Sequence, residues 1–293
     1  MKKEAPIGVF DSGVGGLTVV KEMMRALPKE SIVYYGDTAR VPYGNKSKET
    51  VIAYSRQIAK FLESQEVKAI VVACNTISAL ALETIKAEFD VPFIGVVKPG
   101  AKMAAQATKN KRIGVIATEG TISSGIYEQF LKATSPEVEV FGKACPLFVH
   151  LAEEGWLKDT ITKQVAERYL AELKEKQVDT LVLGCTHYPL LRSVIGEVMG
   201  EQVTLVNPAY ETARELKYVL EDAHILKNQE TKVAPYYKFY VSDGAEKFRQ
   251  FANTILPCNK LEVEDVAVKC FDWKRGKNEK ECCNYSTRLT SWD

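Results

Sequence analysis

Residues 69–76 read Ala-Ile-Val-Val-Ala-Cys-Asn-Thr, and residues 180–187 read Thr-Leu-Val-Leu-Gly-Cys-Thr-His. Each carries an apolar run, then a small residue, then a cysteine followed by polar side chains. A continuous Val/Ile/Leu run of this length fits a parallel strand covered on both faces. Comparable runs fall at 7–10, 32–36, 93–96, 112–117, 138–141, 203–206 and 238–241. Helical patterns lie between them at 17–27, 46–64, 78–89, 122–133, 161–174 and 190–199. The alternation predicts an α/β protein with mostly parallel sheets. The two cysteine segments form a short internal repeat, which points to two similar α/β halves.

In such sheets ligands bind at the carboxyl ends of the strands. The unusual residues fall there. Asp11-Ser12-Gly13 follows the first strand, Asp37-Thr38 the second and Cys74-Asn75-Thr76 the third. Thr118 follows the run at 112–117, and Cys185-Thr186-His187 follows the run at 180–184.

A free cysteine is most often a small core hydrophobe, and Cys145 and Cys258, each beside a proline, keep that core or loop reading. Cys74 and Cys185 differ, because both sit at strand ends and both precede hydrogen-bonding residues. Two matched thiols suit one chemistry well. Inverting a stereocentre through a planar intermediate needs a base on one face and an acid on the other, with the roles exchanged in reverse. An ordinary thiol is only slightly ionised at neutral pH, and a helix N-terminus or a cation lowers its pKa. His187 is a candidate proton partner for Cys185, with a structural hydrogen bonder as the alternative. Asp11 is a candidate partner for Cys74, with a helix N-cap as the alternative.

Two loops add binding capacity. Asp11-Ser12-Gly13-Val14-Gly15-Gly16-Leu17 fails the dinucleotide fingerprint, because Thr18 holds the third glycine position, and it lacks the Gly-Lys-Ser/Thr of a Walker loop. Its amides and Ser12 can still hold a carboxylate, or the loop is only a tight strand-to-helix connection. In the segment from Tyr35 to Asn45, Pro42 and Gly44 fix a turn that leaves backbone groups free for a ligand.

The chain of 293 residues has 46% hydrophobic and 26% charged residues, as globular proteins do. Its 39 basic and 38 acidic residues leave a net charge of +1, which gives no footprint for nucleic acid or an anionic membrane. There is no apolar run long enough to cross a bilayer and no secretory signal, so the expected location is the cytoplasm. Seven cysteines without a Cys-x-x-Cys pair, and three histidines, do not make a structural zinc site. From about residue 266 the sequence turns charged and aperiodic, with Cys282-Cys283 near its end, and reads as a tail of unassigned role.

Four segments taken together, in order, resemble glutamate racemase. They are 11–17, the Gly36-Asp37-Thr-Ala-Arg-Val-Pro42-Tyr43-Gly44 stretch, Ala73-Cys74-Asn75-Thr76 and Gly184-Cys185-Thr186-His187-Tyr-Pro189. The resemblance runs from about residue 6 to about 253. It implies interconversion of L- and D-glutamate with no cofactor and no metal, to supply a walled bacterium with D-glutamate for peptidoglycan. It implies that Cys74 takes the proton from the D-isomer and Cys185 from the L-isomer. Asp11 and His187 are their expected partners, and Glu153 occupies the family's acidic position near the second cysteine. The implied substrate-binding set is Asp11, Ser12, Asp37, Pro42, Tyr43, Gly44, Asn75, Thr76, Thr118, Thr121, Thr186 and His187.

The implied fold is two α/β domains with the site in the cleft between them. One comprises residues 1–97 with 208–265 and the other 98–207, followed by the tail at 266–293. A homodimer is the expected assembly. Some members carry an N-terminal extension that makes them depend on a cell-wall precursor; the early position of Asp11 predicts no such activation. Three rivals remain: a racemase of the same fold acting on aspartate or another acid, a cysteine hydrolase built on Cys185 and His187, and a two-lobed amino-acid-binding module. The hydrolase has no use for a second matched cysteine.

Overall fold

The computed structural model describes residues 3–228, 230–257 and 262–268. Among the described residues ten strands follow one another: β1 (Ile7–Asp11), β2 (Ile32–Gly36), β3 (Ala69–Val72), β4 (Phe93–Gly95), β5 (Arg112–Ala117), β6 (Glu139–Ala144), β7 (Thr180–Gly184), β8 (Thr204–Val206), β9 (Tyr237–Val241) and β10 (Val263–Asp265). They form two sheets, ordered β10-β9-β2-β1-β3-β4 and β6-β5-β7-β8, and all the pairings are parallel. The α/β class with parallel sheets is therefore what the chain adopts. The strands β9 and β10, which come after the second sheet in the sequence, return to complete the first.

The early helices are α1 (Leu17–Ala26), α2 (Lys48–Ser64), α3 (Asn75–Leu80), α4 (Leu82–Ile85), α5 (Val97–Ala107) and α6 (Glu119–Ser123). The later ones are α7 (Ile126–Thr134), α8 (Leu147–Glu153), α9 (Thr160–Glu175), α10 (Arg192–Met199), α11 (Pro208–Asp222) and α12 (Ala245–Ile255). Local chemistry sets several starts. Ser47 accepts the Thr50 amide at the head of α2, and Asp159 accepts the Ile161 amide at the head of α9. Asn207 caps α11, and Pro208 occupies its first turn, where a missing N–H costs nothing.

Both faces of each sheet are covered. In β1, Ile7 and Val9 join the layer that contains α1, α11 and α12, while Phe10 joins the opposite layer with α2 and α3. In the second sheet Ile116, Leu181 and Leu183 face α9 and α10, while Ile113, Val115 and Val182 face α5 and α7. Helix α11 packs on both α1 and α5, so it ties the two sheets' layers together.

Three differences from the sequence expectation have local causes. The helix expected over 78–89 breaks at Ala81, whose φ of −122° leaves the helical region. The one expected over 122–133 breaks at Gly125, which takes a φ of +66° that a side chain disfavours. The strand expected over 138–141 runs on to Ala144, because β6 is an edge strand with polar residues outward. Of the tail expected from 266, residues 269–293 lie outside the described residues, as do Cys258, Cys270, Cys282 and Cys283.

Under the amino ends of the first sheet lies a buried ion pair, Lys68 with Glu30, 2.6 Å apart and 0% and 1% exposed. The Lys68 ammonium also donates to the carbonyls of Lys3 and Ile225, at 2.8 and 3.0 Å. Glu30 accepts the Lys227 amide at 2.9 Å. The pair thus pins the returning chain beneath β1 and β3. Removing one partner leaves a buried charge uncompensated, whereas replacing both with apolar groups does not. Lys68→Met is expected to cost about 3–5 kcal/mol in urea denaturation, and the double variant Glu30→Leu, Lys68→Met clearly less.

Candidate active site

The carboxyl ends of β1, β3, β5 and β7 deliver Ser12, Cys74, Thr118 and Cys185 to one cavity of about 520 Å³, part of it open to solvent. The turn after β2 supplies Val41, Pro42, Tyr43 and Gly44, and α8 supplies Val149, His150 and Glu153. Asn75, Thr76, Thr186 and His187 complete the lining. Asp11, Asp37 and Thr121 stand behind this lining, each buried.

Cys74 occupies the residue before α3 and is 6% exposed. Its thiol donates to the Ser12 hydroxyl at 3.6 Å. Burial pushes the Cys74 thiol up to about 12, the nearby Asp11 carboxylate adds to this, and the Ile77 amide and Ser12 pull the other way. Cys185 also contributes, so the two cysteines sit close enough to feel each other's charge.

Cys185 is 7% exposed and lies 3.8 Å from Nδ1 of His187. Nε2 of His187 is 2.9 Å from the Glu153 carboxylate. A carboxylate, an imidazole and a thiol are therefore in line. Burial alone would disfavour a charged ring, but the hydrogen bonds to Cys185 and Glu153 outweigh it and hold His187 at about 10. Burial likewise opposes the Glu153 anion, and His187 more than compensates, leaving its carboxyl below the usual range.

Asp11 is fully buried at the end of β1. Its carboxylate accepts the Gly13 amide at 3.0 Å and the Thr186 hydroxyl at 3.5 Å. It organises the loop ahead of α1, whose own first turn carries no side-chain cap. Burial raises its pKa, against the pull of His187 and of the Gly13 and Gly16 amides. The loop passes so close to the turn after β7 that a Cβ on Gly15 would stand 2.3 Å from the Thr186 hydroxyl and 2.6 Å from the His187 ring.

The hydroxyls join across the two sheets. Thr76 and Thr118 are 2.8 Å apart, and Thr118 and Thr121 are 3.1 Å apart. The Tyr127 hydroxyl donates to the Asn75 side-chain carbonyl at 2.7 Å. Asp37 faces away from the cavity, accepting Arg40 Nε at 2.6 Å and the Tyr43 hydroxyl. Cys145 is a core thiol, 0% exposed, bonded to the Lys143 carbonyl.

Sequence reading did not select Val41, Val149 or His150 as lining residues. The last two share a face of α8 with Glu153 at i+4 and i+3 spacing, which would have revealed them had α8 been recognised. No cluster of three or more His, Cys, Asp or Glu able to hold a metal occurs among the described residues. No helix among them is long and apolar enough to cross a membrane.

A family model described as Asp/Glu/hydantoin racemase matches residues 7–216. The chain is 52% identical to the glutamate racemase of Geobacter metallireducens over 263 residues, 90% of this chain and 97% of that one. Its fold superposes on the Francisella tularensis glutamate racemase solved with D-glutamate at a TM-score of 0.85 and 40% identity, covering 92% of this chain and 99% of that one. The Bacillus anthracis glutamate racemase superposes at 0.86 with 40% identity, covering 90% and 98%.

The line of Glu153, His187 and Cys185 makes a pH prediction. The His187 ring gains its charge in the folded state, so its contribution to stability is full below the ordinary value near 6.5 and is lost as pH rises through about 10. NMR titration of the ring nitrogens should find His187 charged at neutral pH. In Glu153→Gln the titration should fall by about one to three pH units, and a ring unmoved by that change would show that Glu153 does not hold it.

Proposed function

The chain belongs to the Asp/Glu/hydantoin racemase family and is an isomerase, and on that premise we propose that it interconverts L- and D-glutamate through Cys74 and Cys185 without a cofactor. The observation that carries this reading is the arrival of two buried thiols from two different sheets in one cavity, each with its own polar partners. The D-glutamate held by the Francisella tularensis relative supports the choice of substrate.

From D-glutamate, the Cys74 thiolate takes the α-proton: an S–H bond forms as the Cα–H bond breaks, and the electron pair spreads from Cα into the α-carboxylate. The Cys185 thiol then gives its proton to the other face of Cα and is left as the thiolate. The L-to-D direction runs the same steps backward. Asp11 serves as proton partner on the Cys74 side and His187 on the Cys185 side, with Glu153 orienting the ring. Ser12, Tyr43, Gly44, Asn75, Thr76, Thr118 and Thr186 seat the two carboxylates and the ammonium, with Pro42 shaping the turn. Their donors oppose the charge that grows on the α-carboxylate as the carbanion forms. Asp11, Asp37 and Thr121 act from behind the lining.

The wider reading follows from the resemblance. Residues 1–97 with 208–265 form one domain and 98–207 the other. The chain acts as a homodimer in the cytoplasm and supplies D-glutamate to peptidoglycan.

Purified protein given D-glutamate in D₂O, with no cofactor added, should lose optical rotation while deuterium enters Cα. Exchange with aspartate but not glutamate would keep the chemistry and change the substrate. Cys74→Ala and Cys185→Ala should each slow racemisation by about 10²–10⁴-fold, the usual worth of a positioned acid or base. A Cys74→Ala protein racemising at near wild-type rate would sink the two-base mechanism.

A further inference from the structure

Behind the wall formed by Tyr43 and Gly44 lies a polar cluster that takes no part in proton transfer. Asp37, 0% exposed, accepts Arg40 Nε at 2.6 Å and the Tyr43 hydroxyl through the same oxygen. Arg40 Nη1 donates to Gln57 of α2 at 2.6 Å. The guanidinium also lies over the Tyr54 ring, 4.0 Å from its centroid, and Tyr54 packs on Tyr43 with centroids 5.6 Å apart. The cluster closes on itself, running from Arg40 to Asp37, Tyr43, Tyr54 and back.

Such a cluster is a poor device for stability. A buried ion pair seldom outperforms apolar packing, and this one leaves Asp37 Oδ1 and Arg40 Nη2 buried without a hydrogen-bond partner. Departures of this kind concentrate where geometry matters more than stability. Here the geometry at stake is the next residue. The Gly44 carbonyl accepts the Gly120 amide at 2.8 Å, and a Cβ on Gly44 would stand 2.6 Å from Thr118 Cβ. The position of Tyr43 therefore sets where the first sheet's wall meets the second sheet's turn.

We propose that Arg40 is a positioning residue: through Asp37 and Tyr54 it fixes the wall of Tyr43 and Gly44 against residues 118–120, and so sets the seat of a substrate carboxylate. The carboxylate rests on the glutamate reading above; the fixing of the wall does not. Lysine at this position keeps a cation for Asp37, but it lacks the planar fork that reaches Gln57 and lies flat on Tyr54.

The test compares Arg40→Met and Arg40→Lys with wild type by steady-state racemisation and by amide hydrogen exchange. In Arg40→Met the KM for D-glutamate should rise about tenfold or more with kcat within about threefold, a loss of binding rather than of chemistry. Arg40→Lys should fall between it and wild type. The Gly120 amide should exchange about tenfold faster in Arg40→Met, with the strand amides of β1 and β5 unchanged. If Arg40→Met does not fold, Arg40→Lys decides by the same two readouts, with smaller shifts. Unchanged Gly120 exchange overturns the proposal, and so does a loss of protection spread through both sheets or a fall in kcat at constant KM. A wild-type protein that does not racemise glutamate would overturn the glutamate reading, and the Gly120 exchange would still decide the role of Arg40.

Discussion

The cavity depends on how closely the loop after β1 lies against the turn after β7. Only glycine fits at residue 15, because a Cβ there would come within 2.3 Å of Thr186 and 2.6 Å of His187. The contact is then held by hydrogen bonds. Thr18 donates to the Thr186 carbonyl at 3.0 Å, and the Thr186 hydroxyl reaches Asp11 at 3.5 Å. The joint between the sheets is thus made of the residues that surround the two thiols. A small displacement there would move Cys185, His187 and Asp11 together, so packing and chemistry cannot be tuned apart.

The two thiols are alike in kind and unlike in setting. Cys74 has the Asp11 carboxylate for a neighbour and is pushed up to about 12, whereas Cys185 has His187, held at about 10. Lifting a thiol that far costs its thiolate roughly 4 kcal/mol relative to an ordinary cysteine. A substrate ammonium at about 4 Å, in surroundings of effective dielectric near 20, returns roughly the same amount. A bound ammonium can therefore bring Cys74 back toward the ordinary thiol range, against the opposing charge of the ligand's carboxylates.

The parallel core was legible because its strands are buried on both faces; all four residues of β3 are buried. The same signal fails where a strand carries exposed charged residues, as with β10 and the outward half of β6, whereas the equally short edge strands β4 and β8 keep apolar runs. The helices α5, α8, α11 and α12 were not read, and with α8 went His150 and Val149. The strand-end rule located most of the cavity lining, since it depends on topology alone. It does not say which way a strand-end side chain points. Asp37 obeys the rule and yet turns into the wall, where Arg40 at i+3 holds it. That pairing lies in a single 3₁₀ turn, a spacing too common in loops to be read as an ion pair in advance.

The asymmetry of the two cysteines meets one thermodynamic limit. Under the proposed reaction, substrate and product are mirror images with equal free energies in water, so the overall equilibrium constant is one. The ratio of kcat to KM must then be the same in both directions, whatever the settings of Cys74 and Cys185. Asp11 on one side and the pair of His187 and Glu153 on the other can make one enantiomer bind more tightly only if its turnover is slower in proportion. The unequal surroundings therefore cannot favour one product. They set which thiol carries the proton before substrate arrives, and hence which enantiomer meets an enzyme already in the protonation state it needs.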